Sequence, residues 1–194
     1  MNGQWRGIFM EPYFELGPYT RSITTKSVEA ETWFNRGLNW CYAFHHKEAI
    51  RCFNKTIELD PACVMGYWGV AYATGPYYNI PWEKMSPSGR PEAIKICYEY
   101  SRKAKELRET APLSEVEKAL CDALAIRFQA NKANEIEELK KWDDDYADAM
   151  RLVYRDFSDD YDVCALTAEA LVVRTPWQLW DLKNRTPAEG TFTE

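Results

Sequence analysis

The feature that most restricts this chain is a set of residues held in one register between positions 33 and 61. Trp33, Gly37 and Trp40 recur at the spacing of one helix face, Ala49 and Phe53 at that of a second, and Pro61 closes the unit. Two helices with Gly and Ala at facing positions can approach closely, and the Trp and Phe rings fill the space around that contact. Proline disfavours helical geometry in the residue before it, so Asp60 ends the second helix. A helical hairpin with a small-residue seam follows from these positions.

The helical period continues along the chain. Phe34, Leu38, Cys41 and Tyr42 complete the first helix face, with the start near Ser27 and a break at His45, His46 and Lys47. A third helix begins near Cys63, carries Tyr67, Trp68, Val70 and Ala71, and stops at Gly75 and Pro76. A long loop follows, and a fourth helix opens at Pro91 with Ala93, Ile94, Cys97 and Ala104 inward, proline being at home in a first helical turn. Ser114 and Glu117 have capping-box spacing for a fifth helix carrying Leu120, Leu124, Ile126 and Phe128. Asn134 is expected to cap a sixth, with Ile136, Leu139, Trp142, Tyr146, Met150, Val153 and Phe157 inward; a seventh runs from about Asp162 to Val173. No strand is expected. The fold class is all-α, an α-α superhelix of about three helical pairs: residues 27–182 form the array, 1–26 an irregular lead-in and 183–194 a polar tail. Trp5, Phe9, Tyr13, Phe14 and Tyr19 are too many aromatics for a free end, so part of the lead-in should pack along the helices.

The 33–61 register resembles the tetratricopeptide repeat, whose unit reads W-x₂-L-G-x₂-Y, A-x₃-F and then P. Arg36 stands where leucine is usual. A second unit is degenerate, with Tyr67 and Ala71, then Ala93 and Cys97, in matching places around an inserted loop; a third pairs by helix length alone. Phe34 to Leu38, Ala43 to Ile50, Ala71 to Asn79, Ala168 to Leu171 and Pro176 to Trp180 also look like a family of bacterial and fungal tetratricopeptide-domain proteins. That resemblance implies a longer protein, of which this chain would be the N-terminal portion or a short form, with histidine-bearing helical pairs beyond. The family's biochemical role is poorly defined, so the resemblance bears on fold more than on function.

Composition narrows the partners. The formal net charge is −6 and the pI about 5.1, which disfavours a nucleic-acid partner, since duplex affinity comes mainly from Lys and Arg on phosphates. Arg102, Lys103, Lys105 and Arg108 read as a solvated helix face, and so do Asp143, Asp144, Asp145 and Asp148. No apolar run reaches the roughly 20 residues of a membrane span, and no secretory leader appears. The six cysteines form no CxxC pair, and five sit in apolar helical neighbourhoods, so a reducing, cytoplasmic setting is expected.

Two places could carry function. The loop of residues 75–82 puts Tyr77, Tyr78, Asn79 and Trp82 in an insertion, and aromatics with polar tips suit partner surfaces. The resemblance adds a concave face built from the first helix of each pair, where Phe34, Leu38, Tyr42, Tyr67 and Tyr78 would line an aromatic groove. Repeats that clamp a terminal carboxylate carry Lys and Asn where Phe34 and Leu38 stand, so that clamp is not supported. His45, His46 and Cys41 are the residues a metal would use, but a closed zinc site needs four ligands, and a turn role for the histidines is preferred. No GxSxG, HExxH, Walker or GxGxxG sequence is present. The expected function is a scaffold that presents this aromatic surface to a protein, a peptide or a small molecule. The alternatives are an enzyme centred on His45 and His46 and a homodimer; no cofactor is implied.

Overall fold

The computed structural model describes residues 13–133 and 135–188. Seven helices account for most of these residues: α1 (Val28–Tyr42), α2 (His46–Leu59), α3 (Val64–Thr74), α4 (Gly89–Arg108), α5 (Glu115–Arg127), α6 (Ile136–Asp156) and α7 (Tyr161–Val172). Each packs against the next, and α3 also touches α1 and α5, so α1/α2, α3/α4 and α5/α6 stack as successive hairpins. All seven helices contribute to one contiguous apolar core.

The first hairpin shows why its residue types were needed. A Cβ on Gly37 would lie 2.6 Å from the Phe53 ring, and one on Gly69 of α3 only 2.4 Å from it. Phe53 is fully buried between these two bare backbones, so one ring sets the distances among α1, α2 and α3. Ser27 caps α1 by accepting from the Ala30 N–H at 3.1 Å. At the other end Phe44 takes a left-handed backbone (φ 59°), while the Phe44 and His45 N–H groups return to the Cys41 and Trp40 carbonyls. That is a Schellman ending with His45 packed on Trp40, ring centroids 5.2 Å apart. His45 Nδ1 then accepts from the Glu48 N–H at 3.3 Å and starts α2.

The α5 start has the expected capping box between Ser114 and Glu117. The Asn134 cap expected for α6 lies outside the described residues, as do Trp5, Phe9 and positions 189–194 of the tail. Other expectations need correction. A minimal antiparallel hairpin pairs β1 (Trp180–Asp181) with β2 (Thr186–Pro187), segments too short for any period to announce. Ile126 is 43% exposed, whereas Phe128, just past the helix end, is buried in its place. Asp143 is not on a solvated face: it is 5% exposed and pairs with Arg127. Arg102 and Arg108 leave the solvated face too. Arg102 donates to the Ala125 and Phe128 carbonyls at the α5 end, and Arg108 pairs with Asp122, so both tie α4 to α5.

Candidate functional site

The inserted loop is fixed at three points. Arg127 is fully buried and donates through Nη2 to the Pro76 carbonyl at 2.9 Å. Its Nε donates to Asp143 Oδ1 at 3.1 Å, and its Nη1 lies 3.8 Å from Glu169 Oε2. One guanidinium therefore joins α5, α6, α7 and the loop. Among the described residues, neither buried Glu169 carboxylate oxygen has a hydrogen bond. Burial pushes the Glu169 carboxyl up to about 7, against the pull of Arg127.

The second anchor is Tyr77, stacked on His46 with ring centroids 3.8 Å apart. His46 Nδ1 is 3.3 Å from the Ala73 carbonyl and, as donor, would leave Nε2 unprotonated. Burial depresses its pKa to about 4, so the ring is neutral at pH 7. Trp82 is the third anchor, 1% exposed and edge-on to Phe128. Among the described residues its indole N–H has no partner; the ring is held by apolar packing, while the Trp82 carbonyl accepts from Arg90 Nη1 at 3.3 Å.

Between the anchors the chain makes a tight turn, with Tyr77 and Ile80 exchanging backbone hydrogen bonds. The turn projects Asn79 and Ile80 into solvent, with Tyr78 beside them half-buried. Trp177, which follows α7, faces Tyr78 at 5.2 Å and is 64% exposed. Its backbone is left-handed (φ 65°), a strained choice for a bulky residue. Asn79, Lys84, Pro176, Trp177 and Gln178 line an open depression of about 640 Å³ next to this pair.

The eight residues expected to form the site therefore do not share one groove. Phe34 and Leu38 are buried, Phe34 against Phe53. Tyr42 hydrogen-bonds to Asp162 of α7. Tyr67 leans on Tyr100 of α4 and donates to the Pro61 carbonyl. Tyr77 and Trp82 hold the loop, Asn79 lines the depression, and Tyr78 packs beside it against Trp177. Cys41, His45 and His46 do not converge: Cys41 is in the core, and the two imidazoles contact different rings. Among the described residues no three His, Cys, Asp or Glu side chains are grouped to hold a metal.

The residues that sequence reasoning missed had weak signals. Arg127 lies three positions after Leu124, Asp143 four after Leu139 and Glu169 three after Leu166, each a charge on an apolar face. Trp177 sits in the Pro176 to Trp180 stretch, but only the fold sets it opposite Tyr78.

Residues 30–63 match the family model of the tetratricopeptide repeat, which covers α1, α2 and the turn into α3. No curated protein and no solved structure matches the chain. Residues 30–63 thus form a tetratricopeptide repeat, and such a repeat points to a protein–protein interaction scaffold. No helix among the described residues is long and apolar enough to cross a membrane.

Proposed function

We propose that this tetratricopeptide-repeat chain receives a segment of a partner protein on the surface formed by Tyr78, Asn79, Trp177 and Gln178. The observation that carries this reading is the loop's construction: both ends are anchored in the core, while the tip packs against an exposed tryptophan beside an open depression. Aromatics already held in place lose little side-chain freedom on binding, and tyrosine and tryptophan supply both apolar area and a polar tip. The Asn79 and Gln178 amides can pair with the main chain of an extended peptide. The loop edge is preferred to the inner face of the first hairpin because Phe34 and Leu38 are committed to the core.

A random peptide library panned on the full chain tests the reading. Selected peptides should lose at least about tenfold in affinity for a Tyr78→Ala, Trp177→Ala variant, the loss of one or two aromatic anchors. They should keep their affinity for a Lys105→Ala control on α4. Peptides that bind both variants equally would overturn the assignment, and a library that yields only small-molecule-like cyclic binders insensitive to Tyr78 would do the same.

A further inference from the structure

Residues 19–23 lie extended along α1, in the opposite direction, and three polar side chains of one helical stripe meet them. Asn39 Nδ2 donates to the Tyr19 carbonyl at 3.2 Å. Asn35 accepts from the Arg21 N–H at 2.6 Å and donates to the Arg21 carbonyl at 3.0 Å. Glu31 accepts from the Ile23 N–H at 3.3 Å. Steps of two along the strip thus meet steps of four along the helix. Two extended residues advance roughly 6.6 Å and four helical residues about 6.0 Å, so three rungs stay in register. All of these bonds go to main chain, and α1 reads an extended backbone whatever its sequence.

Sequence is read by α7 and α5. Arg21 Nη1 sits between Asp160 at 2.7 Å and Asp162 at 2.8 Å, and the Tyr19 hydroxyl donates to Asp162 at 2.6 Å. Asp162 is 4% exposed, and Asp160 is held in place as the cap of α7. Glu117 takes the Thr24 N–H and hydroxyl, both at 2.7 Å. The resident segment fills the site incompletely: among the described residues Arg21 Nε is buried with no acceptor, and a cavity of about 340 Å³ lies beside Arg21, Asn35 and Asn39.

We infer that the Glu31, Asn35, Asn39 stripe and the Asp160, Asp162 pair form a second peptide-recognition site, filled in cis by the chain's own residues 19–24. Its trans occupant is an extended segment of a partner protein with a tyrosine followed two positions later by an arginine. Charge complementarity selects the arginine, since two largely buried carboxylates need a cation between them. The strip joins α1 within a few residues, so it competes at an effective concentration on the order of 1 mM. The site therefore opens to a partner only when the strip is loosened. This inference is independent of the Tyr78 and Trp177 surface.

A fluorescein-labelled peptide with the sequence of residues 17–26 tests it by anisotropy against the full chain. It should not bind the wild-type chain below about 1 mM, because the tethered strip holds the site. A chain carrying Tyr19→Phe and Arg21→Lys keeps a cation near Asp160 and Asp162 but gives up the hydroxyl and guanidinium contacts. That chain should bind the peptide, and a peptide with alanine in the arginine position should bind it at least about tenfold more weakly, the loss of a charge-assisted pair. Should the double variant lose its cooperative melting transition, Tyr19→Phe alone serves, with the same ordering of the two peptides. Equal binding of the two peptides, or no binding to a folded, loosened chain, would overturn the inference.

Discussion

The loop of residues 75–82 and the strip of residues 13–25 both lie outside the α-helices and pack on them, and they are held in different ways. The loop hangs on Trp82, on Tyr77 against His46 and on one buried guanidinium at Pro76, and sets its tip at the surface against Trp177. The strip is met along its length by polar side chains: Asn39, Asn35 and Glu31 of α1, Glu117 of α5, Asp160 and Asp162 of α7. Ahead of them Tyr13 packs on Trp33, takes the Trp40 N–H and donates to Glu48. Anchors at the two ends of the loop leave the tip between them free for a partner. Hydrogen bonds spread evenly along a segment are the kind that another segment can replace one for one.

The largest expected effect breaks the loop side of this comparison. Trp82→Ala should cost about 3–5 kcal/mol of stability in urea unfolding, as for other large core aromatics. Trp82→Phe should cost clearly less, because the indole N–H that it removes makes no hydrogen bond among the described residues. A loss for Phe as large as for Ala would mean that the ring's size, and not its burial, fixes the loop.

The next effect separates the two segments by pH. Glu169, beside the loop's guanidinium, has its carboxyl raised by burial to about 7, above the roughly 4.3 of an unfolded chain. Between those values the folded state holds a proton that the unfolded chain releases, so stability falls as pH rises through the window. Asp160, on the strip side, behaves in the opposite sense. Burial alone would raise its carboxyl, but Arg21 and the Val163 and Asp162 N–H groups outweigh burial and hold it below the usual range. Its contribution is present above the unfolded value of about 3.9 and is lost as pH falls through the depressed one. Urea midpoints of the wild-type chain should therefore drop between about pH 5 and pH 7.5, and Glu169→Gln should flatten that slope. A slope unchanged in the variant would contradict the placement of the buried carboxylate.

Much of the frame was legible in the sequence, for a physical reason. Gly37, Ala49, Phe53 and Pro61 act through local spacing, and Ser114 with Glu117 closes its cap within one turn. Arg127, Asp143 and Glu169 each look like a lone charge on an apolar face, and only three helices brought together make them a cluster. Phe34 and Leu38 carry the same residue types in a core as in a groove, so composition does not separate the two. Trp82 and Trp177 belong to stretches without a period, and their burial and exposure are set by what the loop folds onto. Asn35 and Asn39 read as ordinary helix polar positions until an extended strand is laid beside them.

The smallest expected change in stability belongs to the loop tip: Tyr78→Ala should shift unfolding by less than about 1 kcal/mol, since it removes a half-buried ring outside the core. Its effect should be on binding, which makes hydrogen exchange the most direct measurement. Amide exchange of the full chain would be recorded alone and with a panned peptide bound. New protection confined to residues 77–80 and 175–180 is the result this account predicts. Protection that appears instead along α1 and α2, with the loop tip exchanging as fast as in the free chain, would contradict it.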